Sequence, residues 1–371
     1  MSSLKLKDED IQKTFPEIWK YLEDDDVTDL DFNCGNIWQS RVSVIPARIE
    51  NPVLTESYWE NFSALVGKSV NCNFNPTDHT AMADTETLRI TCLHKSQSKS
   101  GLTNVNIRKS HGGLRINRDY ALANGYCEEE TMNMLENCVR AHASIVFCGL
   151  PAAGKTEGLK LFASVIPKHE KVITIEDVAE IHYPLVNKGA SCAELKVTDG
   201  NYTTPMETAL RMNARRIMMG EIRGGNDMEA FMECASNGIP IMSTTHTNDA
   251  RMFPDRGVNM LHSTRDAKNI VNSLHSYVNL SVLMKLKTNA EGKIHRYIDQ
   301  VCIFSRDEET DKNSMVLAVE NGKLYKDRVP VKFRQRIEDV LGHDIFMYVP
   351  RIRESGENRD SVIVEDSYEE S

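Results

Sequence analysis

The sequence predicts an α/β fold in which a parallel sheet with helices follows a smaller α+β region, and three observations support this prediction. Residues 149–156 read G-x-x-x-x-G-K-T and lie between a strand-like segment and a helix-like segment. Three later apolar runs, each typical of a buried strand, also end in polar residues. Short strand-like runs separated by turns occupy residues 26–113, ahead of all of these.

Residues 1–25 are polar and acidic with a helical stripe of apolar side chains, which predicts an N-terminal helical arm with a docking role. Residues 26–113 are predicted to form a compact α+β N-terminal domain, and a His-Gly-Gly run at 111–113 marks the linker that follows. A mildly basic stretch ends this region. It is interpreted as a solvated loop, with the alternative that Arg108 faces phosphates at a domain interface. The predicted elements are strands at 27–32, 36–45, 87–93 and 102–107 and a helix at about 53–65.

Residues 114–348 are predicted to form a larger second domain, and residues 349–371 a disordered acidic tail. Apolar runs and helical periodicity alternate along the second domain. A predicted hairpin near its end is expected to extend the sheet in antiparallel fashion. The predicted strands are 143–148, 171–175, 216–220, 239–244, 278–287 and 293–304, and the predicted helices are 128–142, 204–213 and 330–341, with others after Thr156 and Gly225.

The run at 149–156 has the chemistry of a phosphate-binding loop. A triphosphate needs several backbone N–H groups directed at it, and a loop with little side-chain bulk lets the backbone approach closely. The helix that begins near Gly154 adds the positive end of its dipole. Lys155 is placed to reach the β- and γ-phosphates, and the Thr156 hydroxyl to hold Mg²⁺. The chain therefore binds a nucleoside triphosphate or descends from one that did.

Polar groups follow three more strands of the predicted sheet. Glu176 and Asp177 follow one run, Glu221 follows the next, and His246 follows the third. Since ligands of open α/β sheets bind outside the carboxyl ends of the strands, these side chains are expected to meet the loop at 149–156. Glu221 is well placed to polarise a water that attacks a γ-phosphate, and His246 to contact that phosphate. Taken alone, the acidic pair also fits a solvated pair with no role.

Composition narrows the class of protein. The 371 residues, 40% hydrophobic and 26% charged, are typical of a globular protein of about two domains. A net charge of −10 argues against nucleic acid as a direct partner. The 9 cysteines form no C-x-x-C pair, which favours a reducing cytoplasm over disulfides or zinc. No apolar run approaches about 18 residues, so a cytoplasmic protein with only peripheral membrane association is expected.

These residues resemble the traffic ATPases of type II and type IV secretion, which also serve type IV pili, tight-adherence pili and conjugation. Four boxes of that family are present in order: the Walker A motif at 149–156, the aspartate box at 173–177, the Walker B segment at 219–224 and the histidine box at 243–250. The resemblance implies a RecA-like P-loop ATPase domain preceded by a smaller N-terminal domain, and a homo-hexameric ring with ATP at subunit and domain interfaces. It further implies partners among the inner-membrane platform or channel proteins of a secretion or pilus machine.

The resemblance also assigns roles to residues, with ATP and Mg²⁺ as the implied ligands. Ile107-Arg108-Lys109 matches a family motif, which makes Arg108 a candidate phosphate contact and Arg89 a weaker one. The catalytic candidates are Glu221, Glu176 and His246; the ATP-binding candidates are Gly149, Ala152, Ala153, Gly154, Lys155, Thr156, Arg108 and Arg89; the metal candidates are Thr156, Glu176 and Asp177. The chain departs from the family pattern at Ala152-Ala153, where Gly-Ser is usual, and at Arg215, where Asp is usual.

Three functions follow from the sequence. The first is an ATPase motor that couples ATP hydrolysis to secretion, pilus assembly or conjugative transfer through a membrane-embedded machine. The second is an ATP-binding scaffold with little turnover, which the presence of Glu221 disfavours. The third is a RecA-like nucleic-acid translocase, which the acidic balance disfavours.

Overall fold

The computed structural model describes residues 6–198, 200–261, 267–307 and 309–350, which form two sheets with separate cores. The smaller sheet has six strands in the order β3-β2-β1-β6-β5-β4, all neighbours antiparallel. Most of the predicted acidic tail, residues 351–371, lies outside the described residues. The first elements are α1 Asp8–Thr14, α2 Pro16–Leu22, β1 Val27–Asn33, β2 Asn36–Arg41, β3 Ala47–Ile49, α3 Glu56–Ser69, β4 Thr80–Asp84, β5 Leu88–Leu93 and β6 Asn104–Lys109.

The core of the smaller sheet forms around aromatic residues of α3. Trp59 is fully buried and stacks on Phe32 of β1 with ring centroids 5.3 Å apart. The N-terminal helices α1 and α2 contribute Ile11 and Ile18 to the same core, since their apolar stripe faces it. The described part of the predicted arm is therefore packed on the six-stranded sheet.

The larger sheet has nine strands in the order β15-β14-β13-β12-β7-β11-β10-β8-β9. Helices cover both of its faces, so its central strands are buried on both sides, as parallel strands usually are. The predicted α/β fold class, with a smaller α+β region first, is confirmed. Its elements are α4 Arg118–Ala123, α5 Glu129–Arg140, β7 Ile145–Cys148, α6 Lys155–Ala163, β8 Val172–Glu176, α7 Tyr183–Val186, β9 Cys192–Lys196, α8 Thr203–Arg211, β10 Arg216–Ile222, α9 Gly225–Ser236, β11 Ile241–Thr245, α10 Phe253–Met260, α11 Ala267–Tyr277, β12 Leu280–Thr288, β13 Ile294–Asp307, β14 Lys312–Glu320, β15 Lys323–Leu324 and α12 Val331–Leu341.

The β12–β13 hairpin joins the sheet differently from the sequence prediction. β12 pairs in parallel with β7, with Leu280 opposite Ile145, and the antiparallel pairing begins only between β12 and β13. The reason lies in the connection from β11. The chain returns through α10 and α11 to the starting end of the sheet, as parallel crossovers require, so β12 runs in the same direction as β7.

The two sheets are connected at the loop of this hairpin. The predicted strand 36–45 ends at Arg41, because the following residues leave the small sheet and pair with the hairpin instead. The Ile45 amide donates to the Gly292 carbonyl at 3.0 Å, and the Ile294 amide donates to the Ser43 carbonyl at 2.7 Å. The small sheet is therefore attached beside strand β13.

Within the ranges that the structure describes, none of the helices has the length and apolar character needed to traverse a bilayer.

Candidate active site

Four parallel strands bring the predicted polar residues to one edge of the large sheet. β8, β10, β11 and β7 are adjacent in that order, and each pair is parallel. Their carboxyl ends therefore lie side by side. Glu176 ends β8, Glu221 lies near the end of β10, His246 follows β11, and Gly149 follows β7. The sequence prediction that these residues converge agrees with this arrangement.

The loop at 149–156 has the backbone that its glycines allow. Gly154 has φ +85°, and a Cβ at Gly149 would lie 2.6 Å from the Met284 carbonyl oxygen, so only glycine fits there. Ala152 has φ 63°, a left-handed conformation that costs a non-glycine residue about 1–2 kcal/mol. In the described part of the chain no side chain caps α6, so its first N–H groups remain available to bind an anion.

The Lys155 side chain crosses this loop and reaches the residues beyond β11 and β10. Its Nζ donates to the Leu150 carbonyl at 3.4 Å and lies 3.2 Å from His246 Nδ1 and 4.0 Å from Glu221 Oε1. Burial lowers the pKa of Lys155, because the charged ammonium loses water. A buried ammonium whose contacts among the described residues are a carbonyl, an imidazole and one carboxylate is well suited to a multiply charged anion.

Glu221 is held by groups from two directions. Its Oε1 lies 2.5 Å from His246 Nε2, and its Oε2 accepts a hydrogen bond from Arg223 Nε at 2.9 Å. His246 Nδ1 also lies 3.1 Å from the Gly149 carbonyl oxygen. A proton on Nδ1 suits that carbonyl, whereas a bare Nδ1 suits the Lys155 ammonium, so the two contacts are alternatives. Glu221, His246 and the loop thus form one connected group.

The family resemblance implied a catalytic or metal-binding role for Glu176, but its carboxylate is bonded by the backbone of its own loop. It is only 6% exposed, and its Oε1 accepts hydrogen bonds from the backbone N–H groups of Glu180 and Ile181, both at 3.1 Å. Burial raises the pKa of Glu176 to about 8, although these two N–H groups lower it. The carboxylate is therefore directed at its own loop.

A different carboxylate, that of Glu180, lies beside Thr156. The Thr156 hydroxyl donates to Glu180 Oε2 at 3.3 Å. Sequence reasoning missed Glu180, although it is the third acid in the run Glu176-Asp177-Val178-Ala179-Glu180 and that spacing was the available signal. Asp177 faces another group, since its Oδ2 accepts from Arg223 Nη1 at 2.8 Å.

Replacing Glu176 with glutamine is expected to raise the free energy of unfolding by an amount that grows with pH. The raised pKa means that the folded protein keeps a proton that the unfolded chain releases above about pH 4.5. Wild-type stability therefore falls as pH rises from about 4.5 to about 8, by up to about 1.4 kcal/mol per pH unit. The amide does not titrate and still offers an acceptor oxygen.

Urea unfolding at several pH values between 5 and 8 measures this difference, with Glu229→Gln, an exposed glutamate of α9, as the control. A difference between Glu176→Gln and wild type that does not change with pH would contradict the burial argument.

Arginines complete a cleft of about 320 Å³ in front of the loop. Arg89 and Arg108 of the small sheet line it, and Arg108 Nε donates to Asp29 Oδ1 at 2.9 Å. Arg296 was not predicted because nothing in its hairpin strand distinguishes it. Its Nε donates to the Ala152 carbonyl at 2.8 Å, and its Nη1 donates to the Val42 carbonyl. Arg296 therefore links the loop at 149–156 to the segment that follows β2 of the small sheet.

The residues present fit a magnesium nucleotide. Among the described residues, no cluster of three or more His, Cys, Asp or Glu side chains forms a metal cage. Mg²⁺ usually binds through one or two protein oxygens together with waters and substrate phosphates. Thr156 Oγ1 and Glu180 Oε2 are two such oxygens beside the loop.

The chain is similar in sequence to a known family and to known proteins. The family model of type II/IV secretion system proteins matches residues 106–341. An uncharacterised protein of Bacillus anthracis is 24% identical over 292 residues, which are 76% of this chain and 65% of that protein. The type IV secretion system protein PtlH of Bordetella pertussis is 30% identical over 129 residues, which are 33% of this chain and 38% of PtlH. The chain thus spans less than two thirds of the length of either relative.

Two solved structures share the fold. The ATPase DotB of Legionella pneumophila has a TM-score of 0.58 at 17% identity, with 84% of each chain covered. The pilus retraction motor PilT, solved with bound ADP, has a TM-score of 0.56 at 16% identity, with 91% of this chain and 88% of PilT covered.

Proposed function

The chain belongs to the type II/IV secretion system protein family, and from that premise we propose that it is an ATPase motor. In this proposal ATP hydrolysis drives protein secretion, pilus assembly or conjugative transfer through a membrane-embedded machine. The observation that carries it is the meeting of Lys155, Glu221 and His246 at the loop 149–156, with Glu221 Oε1 4.0 Å from the Lys155 ammonium and 2.5 Å from the imidazole.

ATP binding would exchange the present contacts of Lys155 for phosphate oxygens. Its ammonium lies near the Leu150 carbonyl and His246, both of which a γ-phosphate can replace as partners. The backbone N–H groups at the start of α6 would hold the α- and β-phosphates. Thr156 and Glu180 would hold Mg²⁺, which when bound neutralises phosphate charge.

Hydrolysis would then use Glu221 as the base. A water attacks the γ-phosphorus, its proton passes to the Glu221 carboxylate, and the bond from the γ-phosphorus to the bridging oxygen breaks to leave ADP and phosphate. Lys155 and the arginines of the cleft stabilise the charge on the phosphoryl group. His246, 2.5 Å from Glu221, would contact the γ-phosphate and orient the base.

Motion of the small sheet would couple ATP hydrolysis to work on partner proteins. We propose a division into residues 26–113 and 114–348, with the arm at 1–25, and Arg296 as the direct link between Val42 and the loop. The proposed assembly is a homo-hexamer at the cytoplasmic face of the membrane that acts on platform or channel proteins. The names of PtlH, a type IV secretion system protein, and of the PilT motor support this setting.

Phosphate release from Mg²⁺·ATP by the full chain tests the proposal, with particle mass in the same solution reporting the oligomer. We expect Mg²⁺-dependent hydrolysis by a hexamer. An ATP-binding scaffold is the second candidate because Ala152 strains the loop, and it predicts ATP binding without turnover. Strong stimulation by single-stranded DNA, with steep salt dependence, would instead indicate a translocase.

Replacing Glu180 with glutamine is expected to lower Mg²⁺-dependent hydrolysis by about 10- to 100-fold, as loss of a group supporting a metal site typically does. The cause is the lost charge next to the Thr156 hydroxyl. The Mg²⁺ dependence of phosphate release measures this effect. Glu229→Gln, on an exposed face of α9, serves as the control. Equal Mg²⁺ dependence in Glu180→Gln and wild type would mean that Glu176 or Asp177, and not Glu180, holds the Mg²⁺.

A further inference from the structure

Arg115 is a residue of the cleft to which the sequence assigned no role. It follows the His-Gly-Gly linker and precedes α4, in the segment that connects the two sheets. It lines the cleft in front of the loop, together with Lys155 and Thr156. It also lines a second, adjoining cleft of about 160 Å³ beside Glu157.

The Arg115 side chain is half-buried, and two of its nitrogen atoms are buried without a hydrogen-bond partner in the described part of the chain. Its Nε and Nη2 are both inaccessible to water and have no hydrogen-bond acceptor among the described residues. Leaving donors of a charged group buried and unbonded is costly, so such groups normally have an explanation. Burial lowers the pKa of Arg296, and the positive charge of Arg115 nearby lowers it further. A second guanidinium thus adds repulsion to the cost of burial.

Three other arginines of the cleft already have acceptors. Arg108 is bonded to Asp29, Arg223 to Glu221 and Asp177, and Arg296 to the Ala152 carbonyl. Glu157 Oε2 is also buried without a partner, so a rotation that pairs it with Arg115 is the competing explanation. Either Arg115 binds an anion that enters the cleft, or it forms an internal ion pair with Glu157.

We infer that Arg115 binds the α- or β-phosphate of the nucleotide. The inference rests on the proposed function, since it names a further contact of the same site. Arg115 lines both clefts beside Thr156 and Glu157, at the start of α6. Loop and helix N–H groups at that point of a P-loop hold the α- and β-phosphates, whereas the lysine reaches the β- and γ-phosphates. Arg115 therefore contributes to ADP and ATP binding alike.

The test measures ADP and ATP affinity of Arg115→Ala, Arg115→Lys and wild type by titration calorimetry. Arg115→Ala is expected to weaken both nucleotides by about tenfold or more, since a hydrogen bond to a charged group contributes about that factor. Arg115→Lys is expected to recover part of the affinity, because it keeps the charge without the planar fork. Arg48→Ala, at an exposed arginine of β3, is the control and should bind as wild type does.

Thermal unfolding of the nucleotide-free protein separates binding from a structural role. Removing a guanidinium with two buried, unbonded nitrogen atoms should leave the midpoint of Arg115→Ala unchanged or raise it. A lowered midpoint in both Arg115→Ala and Glu157→Gln, with unchanged ADP affinity, would overturn the inference in favour of the ion pair. Wild-type affinity in Arg115→Ala, with binding lost in Lys155→Ala, would overturn this inference alone. Failure of the wild-type chain to bind either nucleotide would overturn the proposed function as well.

Discussion

Replacing Lys155 with alanine is expected to lower ATP affinity by about 100-fold or more. Lys155 is only 9% exposed, and its ammonium lies within 4.0 Å of both the His246 ring and Glu221, at the edge where the strands end. Removing one partner of a buried charge contact costs about 2–5 kcal/mol, because the other partner remains desolvated. In Lys155→Ala the ammonium no longer separates the phosphate oxygens from the Glu221 carboxylate, so these negatively charged groups repel each other.

Calorimetric titration with ATP and ADP measures this loss. Lys188→Ala is the matched control, since Lys188 is an exposed lysine in the loop between α7 and β9. Circular dichroism and thermal unfolding of both variants exclude a general loss of structure. ATP affinity in Lys155→Ala within a few-fold of wild type would mean that the nucleotide binds elsewhere, or that the loop no longer binds one.

Replacing Glu221 with glutamine is expected to lower kcat for ATP hydrolysis by about 10²- to 10⁴-fold, the range typical of a lost general base. The amide has the same size and can still contact His246 and Arg223, so ATP affinity should stay within a few-fold of wild type. This pattern, with binding kept and turnover lost, is the signature of a group that acts in the transition state.

Single-turnover phosphate release measures the chemical step directly, and Glu207→Gln, on an exposed face of α8, is the control. Equal and near-zero rates in wild type and Glu221→Gln would favour the ATP-binding scaffold. Equal and rapid rates would mean that a different base acts, and Glu180 would then be the next residue to replace.

The sequence predicted the parts of the site that follow from local pattern. The apolar runs of β8, β10 and β11 end in polar residues, and that of β7 is followed by the glycine-containing loop at 149–156, so the direction and the functional end of each strand can be predicted. Parallel pairing then places those ends together without any knowledge of side-chain contacts. This pattern and the parallel pairing are enough to predict that Lys155, Glu221 and His246 lie near one another.

The parts of the site and of the fold that the sequence did not predict depend on contacts between distant segments. Arg296 reaches the Ala152 carbonyl from a hairpin 144 residues away, and the hairpin's pairing with β7 depends on how α10 and α11 return the chain. The family resemblance implied a catalytic or metal-binding role for Glu176. The backbone of its own loop bonds its carboxylate instead, and Glu180 is the acid that reaches Thr156. Side-chain direction at a strand end is not encoded by spacing alone.

The most direct test of the central claim is a structure of the Glu221→Gln variant with Mg²⁺ and ATP. We expect the triphosphate to lie along the loop 149–156, with the Lys155 ammonium on its outer phosphates and the side chain at position 221 one water away from the γ-phosphorus. A nucleotide bound at another face, or a γ-phosphate out of reach of position 221, would contradict it.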